Sequence, residues 1–258
     1  MRRPTLLRIP FSHFCRKAEW GLTQAGIAYD TRDLQLWQMR HVHLLHPGGT
    51  VPVLRVGDRL LTDSHDILVW ADEHRAAGAP ALYPPAIAHQ VVAWERWAGE
   101  ALGPVTRREA YRQLHKRPAL GRAYGLPFWM TLSPARRLYL AVLRHYKARR
   151  HEAADPQALR EGLTRVAGQL ARSGTPYLFG QQPTAADVTT AALLEPMQVV
   201  AAAGGYVDHP GWQEVAAYLQ RVRPATTTVV RTRHGSVRLL RAWAAQTTPQ
   251  GTSRDVDA

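Results

Sequence analysis

The apolar residues of the first eighty positions change period several times and then settle, and this ordering limits the folds open to the chain. Thr5-Leu6-Leu7-Arg8-Ile9 is a short apolar run stopped by Pro10, the pattern of a buried strand. Phe14, Ala18, Leu22 and Ala25 then recur at helical spacing. Arg16, Lys17, Glu19, Thr23 and Gln24 fall mostly on the opposite face, and Gly26 stands where such a helix stops. Residues 27–34 alternate as a second strand, and 36–45 suit a short irregular helix. His46-Pro47-Gly48-Gly49 is a turn. Residues 51–56 and 59–61 read as two strands around Gly57-Asp58, a hairpin signal. A further helix begins at Ser64, with Ile67, Leu68 and Ala71 on its inner edge, and runs out at Gly78 and Pro80.

The order strand, helix, strand makes a βαβ unit, whose two strands are parallel. A hairpin and a covering helix complete it, so the expected first domain (1–78) is a mixed four-stranded sheet with helices on its faces. Residues 79–86, rich in Pro and Ala, read as a linker. Beyond it strand signals fade. Leu159, Leu163, Val166 and Leu170 keep helical spacing, as do Trp212, Val215, Leu219 and Val222. The expected second domain is an all-helical bundle over 87–246, broken at Pro118, Pro127 and Pro134. A polar tail at 247–258 is expected to be disordered.

The 258 residues carry a net charge of +13, nearly all of the excess being Arg, since Lys stands only at 17, 116 and 147. These cations are scattered and do not interleave with aromatics on one element, which argues against nucleic acid as the partner. A positive field of this size does attract anionic small molecules. With Cys15 as the one cysteine, neither an internal disulfide nor a Cys-based zinc site can form. His41, His43 and His46 lack a nearby carboxylate at ligand spacing, so no metal site is expected. The apolar runs are short and interrupted by Arg, and the N-terminus has no signal-peptide pattern; the expected setting is the cytoplasm, without a membrane span.

Four local motifs, in order, resemble the glutathione S-transferase family. They are Ser12-His13-Phe14-Cys15-Arg16-Lys17 at the first strand–helix junction, and His46-Pro47-Gly48-Gly49-Thr50-Val51-Pro52-Val53-Leu54, similar to the family's Asn-Pro-x-x-x-Val-Pro-x-Leu. Thr62-Asp63-Ser64-His65-Asp66-Ile67 follows, and then Pro183-Thr184-Ala185-Ala186-Asp187. The resemblance runs from about Leu6 to Pro224 and implies a thioredoxin-like domain followed by a helical one. It also implies glutathione as co-substrate and a homodimer. The chain departs from the pattern at Thr50, where Gln or Lys is usual, and at His46, where Asn is usual.

The chemistry agrees with that implication. Ser12 falls at a helix N-terminus, where unpaired N–H groups and the macrodipole stabilise a thiolate, and its hydroxyl can donate one more hydrogen bond. Ser12 is therefore the catalytic candidate, although serine at this place also serves as a plain cap. Cys15 is the secondary candidate, at the second position of what is a Cys-x-x-Cys pair in glutaredoxin-like relatives. It falls on the apolar face of its helix, where cysteines usually pack rather than react.

By the resemblance Pro52 is cis, which would turn the Val51 backbone outward to pair with the peptide of glutathione. Thr50 can add a hydrogen bond. Asp63 and Ser64 suit the γ-glutamyl ammonium and carboxylate, and also suit capping. Among the aromatics Trp94, Trp97, Tyr111, Phe128, Trp129 and Met130's neighbourhood, Tyr111 and Trp129 are the candidates for lining a pocket for an apolar electrophile. Thr184 and Asp187 read as a capping pair with no catalytic role. The expected function is attack of an activated glutathione thiolate on an electrophile. The alternatives are a non-catalytic binding protein on the same fold, or a thiol reductase working through Cys15.

Overall fold

The computed structural model describes residues 3–116, 121, 154–202, 204 and 207–246. Strand β1 (Thr5–Arg8) leads to helix α1 (His13–Gln24) and then to β2 (Tyr29–Asp33), which runs parallel to β1. A 3-10 helix follows over Leu36–Leu44, where an irregular helix was expected. Strands β3 (Val53–Val56) and β4 (Arg59–Leu61) form the hairpin, with Val56 opposite Arg59. The turn between them needs a glycine, since Gly57 has φ +60°. Helix α2 (Ser64–Glu73) completes the motif.

After the linker come α3 (Ala88–Trp97), one π turn at Ala98–Leu102, and α4 (Gly103–Lys116). Beyond residue 153 lie α5 (Asp155–Ser173), α6 (Ala185–Ala202) and α7 (Trp212–Val222). The spaced apolar residues read from the sequence do face inward. Leu163 and Val166 on α5, and Val215 and Leu219 on α7, have no exposed surface.

The sheet has five strands in the order β4-β3-β1-β2-β5, not the expected four. The fifth, β5 (Val229–His234), lies within the stretch expected to be helical and pairs parallel with β2. Helix α8 (Val237–Gln246) then packs Leu240 and Trp243 with Leu7, Val53 and Leu60 on one face of the sheet. The chain thus returns to its first domain. Only a short signal marked the strand: the β-branched run Thr226 to Val230 between Pro224 and Gly235. The opposite face, through Leu6, Leu54 and Leu61, shares one core with α1, α2 and the helical bundle.

The linker is pinned at its middle, through both backbone groups of Leu82. Leu82 is fully buried, its N–H donates to Asp72 Oδ1 at 2.7 Å, and its carbonyl accepts from Ala185 at 2.8 Å.

Candidate active site

Strand register gathers the first three motifs at one end of the sheet. Leu7 of β1 lies opposite Val53, so Val51 and Pro52 sit just past the C-terminal end of β1, where the chain turns into Ser12. Leu61 of β4 lies opposite Leu54 of β3, so Thr62-Asp63-Ser64 leaves the sheet at that same end.

Ser12 is the N-cap of α1. Its backbone is extended and its Oγ accepts from the Cys15 N–H at 3.5 Å. A hydroxyl that accepts can still donate, so the O–H remains available to a group arriving at the helix end. The Cys15 side chain is fully buried beneath it. Burial pushes the Cys15 thiol up to about 12.

The Val51–Pro52 bond is cis. Pro52 is buried, Val51 is half-buried and Thr50 is exposed. His46, standing where the family has Asn, closes the turn before them: its Nε2 lies 2.9 Å from the Thr50 carbonyl and 3.3 Å from the Thr50 N–H. Asp63 is the N-cap of α2 and accepts from the His65 N–H at 2.6 Å, while Ser64 is buried as the first helical residue.

The helical domain walls the site through α4. A Cβ on Gly103 would lie 2.9 Å from Phe14 Cζ and 3.3 Å from Leu193, so a glycine lets α4 approach the start of α1. Arg107 and Tyr111 follow at four-residue intervals on that face. Tyr111 is half-buried, and burial raises its phenol against the opposing charge of Arg107. His13, beside Ser12, is buried, and its ring lies tilted against that of Phe14 with the centroids 4.7 Å apart. Burial, reinforced by Arg107, lowers its pKa to about 3, though the Gly103 carbonyl accepts a hydrogen bond from the ring. Its Nε2 has no hydrogen-bond partner among the described residues. Trp129, with Phe128 and Met130, lies outside the described residues. Trp94 is core: it is buried, packs edge-on to Trp97 and Phe179, and donates from Nε1 to Thr190 Oγ1 at 2.9 Å.

Two buried charge clusters behind the site were not legible as such. The sequence pattern put Lys17 and Glu19 on the solvent face of α1, but both are buried, because α6 covers that face. Lys17 Nζ lies 2.7 Å from Glu95 Oε1 on α3. The other oxygen of Glu95 accepts from Tyr83 Oη at 2.6 Å and meets His65 Nδ1 at 3.0 Å. This cluster ties α1, α2, the linker and α3 together. Glu19 takes Arg8 at 2.6 Å and Arg16 at 3.1 Å, and Arg16 reaches Glu195 of α6 at 3.0 Å. The detectable signal was charge on α1 within an amphipathic helix. Its burial depended on a domain far along the chain.

The Thr184–Asp187 pair does more than cap. Asp187 Oδ2 accepts from the Thr184 N–H and hydroxyl, both at 2.8 Å, as the expected cap requires. Its Oδ1 takes the Leu178 N–H at 2.8 Å and Tyr218 Oη at 2.9 Å, joining α6 to α7 and to the loop before it. Asp187→Ala strands four donors in the core and is expected to cost about 2 kcal/mol or more, above the ~1 kcal/mol of a surface cap. Urea unfolding checks this, and a loss near 1 kcal/mol would reduce the pair to a cap.

Two family models match the chain: the glutathione S-transferase N-terminal domain over residues 6–80 and the glutathione S-transferase C-terminal domain over 149–221. No curated protein matches it by sequence. Among solved structures, the beta-etherase LigF from Sphingobium sp. strain SYK-6 is 16% identical, with a TM-score of 0.65 over 87% of this chain and 97% of that one. The theta class glutathione S-transferase from Xanthomonas axonopodis pv. citri, solved with glutathione bound, is 23% identical, with a TM-score of 0.54 over 87% and 95%. A glutathione S-transferase from Xylella fastidiosa is 19% identical, with a TM-score of 0.58 over 85% and 92%.

Proposed function

Because this chain belongs to the glutathione S-transferase family and is by that membership a glutathione transferase, we propose that it binds glutathione at the sheet end described above. Ser12 there holds the thiolate for attack on an electrophilic carbon. The observation that carries this reading is the convergence of Ser12, cis-Pro52 and the Asp63–Ser64 cap at one sheet end.

Each group has a task. The α1 N-terminus and the Ser12 O–H favour the ionised sulfur, as a charge-assisted hydrogen bond does. The backbone of Val51 pairs with the tripeptide as an added strand would, and Thr50 adds a side-chain hydrogen bond. The α2 N-terminus at Ser64 receives the γ-glutamyl carboxylate, and Asp63 pairs with its ammonium. Tyr111 lines the second pocket, for an electrophile with an apolar body. The reaction is addition or displacement at carbon, or isomerisation through a transient adduct. The glutathione bound in the Xanthomonas relative supports this choice of thiol. The deeply buried Cys15, with its thiol pushed up to about 12, speaks against a reductase working through that residue. The same reading has a cytoplasmic homodimer, and among the described residues no helix is long and apolar enough to cross a membrane.

Calorimetric titration with reduced glutathione tests the site. One-to-one saturable binding is expected, weakened about 100-fold or more when Asp63→Ala and Ser64→Ala remove two charge-assisted contacts together. No binding at millimolar glutathione would sink the assignment.

A further inference from the structure

Three arginines of α4 differ in their partners. Arg108 Nε and Arg112 Nη1 close on Asp155 Oδ2 at 2.8 and 2.7 Å, and Arg112 also pairs with Glu109 at 2.7 Å. Arg107 stands one turn after Gly103, on the stripe that meets α1. Its Nε is buried without a hydrogen bond, and among the described residues no carboxylate lies at ion-pair distance from it. Across from it, the buried His13 ring also has an unpaired nitrogen, Nε2. Buried polar atoms in native proteins nearly always have partners, and here Arg107 Nε and His13 Nε2, beside the candidate site, have none among the described residues. A guanidinium offers a planar fork of donors that fits a carboxylate, and His13, neutral, supplies no competing charge.

We propose that Arg107 is a specificity-determining residue that binds a carboxylate on the electrophilic co-substrate. The inference rests on the transferase reading above and deepens it: the electrophile has an apolar body against the Tyr111 stripe and an acidic end at Arg107. The +13 net charge draws such anions toward the protein.

The test is calorimetric titration of the full chain with two conjugates, S-benzylglutathione and S-(4-carboxybenzyl)glutathione. The wild type is expected to bind the carboxylate conjugate about 10-fold more tightly or better, as a charge-assisted pair implies. Arg107→Gln should bring the two conjugates to within about twofold of each other, and Arg107→Lys, which keeps the charge but loses the fork, should recover part of the difference. Equal affinities in the wild type, or a preference that survives Arg107→Gln, would overturn the proposal while leaving the transferase reading intact. Failure of both conjugates to bind the wild type would overturn both.

Discussion

Replacing Glu95 by Gln is expected to lower stability by about 3–5 kcal/mol, because it leaves the Lys17 ammonium buried without its counter-charge. Both side chains are nearly inaccessible, at 4% for Lys17 and 2% for Glu95, so water cannot take over. For a chain of this size the loss corresponds to a fall of roughly 10 °C in Tm. The control is Lys17→Met combined with Glu95→Gln. Removing both charges should restore much of the loss, since a buried pair replaced by neutral groups is often tolerated. A single variant that melts within about 2 °C of the wild type would show that the pair contributes little.

The same cluster sets a pH dependence. The hydrogen bond to Glu95 raises the pKa of half-buried His65 above its usual 6.5, against the opposing effect of burial. Burial alone would raise Glu95, but the hydrogen bond from His65 and the charge of Lys17 outweigh it and hold Glu95 below the usual carboxylate range. The Glu95 contribution is therefore present above that usual range and is lost as pH falls through its lowered value. The His65 contribution is complete below 6.5 and is lost as pH rises through its raised value. Both act together between about pH 4.5 and 6.5. Melting curves across that range should show this increment in the wild type and its absence in Glu95→Gln.

The second large effect is on turnover. Ser12→Ala is expected to reduce glutathione-dependent turnover about 100-fold, the value of one hydrogen bond to a charged atom in a dry site. Stability should fall by only about 1 kcal/mol, because the cap it provides rests on a single 3.5 Å contact. The discriminating readout is the ionisation of bound glutathione: its thiolate absorbance, followed against pH, should titrate higher in Ser12→Ala. Cys15→Ser should leave that curve in place, since the Cys15 thiol lies buried behind the cap. An unchanged thiolate titration in Ser12→Ala would remove serine from the chemistry and leave it as a helix cap.

What the sequence determined by itself was local. Periodicity placed α1, α2, the β3–β4 hairpin and the inward faces of α5 and α7, because burial of one stripe leaves its mark every two or every 3.6 residues. Motif order placed Ser12, Val51–Pro52 and Asp63–Ser64 in one candidate site, because caps and turns are written in adjacent residues.

Tertiary structure decided the rest. The six-residue β5 became a strand only because β2 had a free edge to offer it, and pairing between residues 200 or more positions apart leaves no period in the sequence. Lys17 and Glu19, polar on a helical wheel, became interior once α6 covered them and Glu95, Arg8 and Arg16 neutralised them. Arg107 and Arg108 are neighbours of identical chemistry. Arg108 is paired with Asp155, and Arg107, on the stripe that meets the start of α1, has no ion pair among the described residues, because a helix turns about 100° per residue and only the packing of α4 decides what each direction meets.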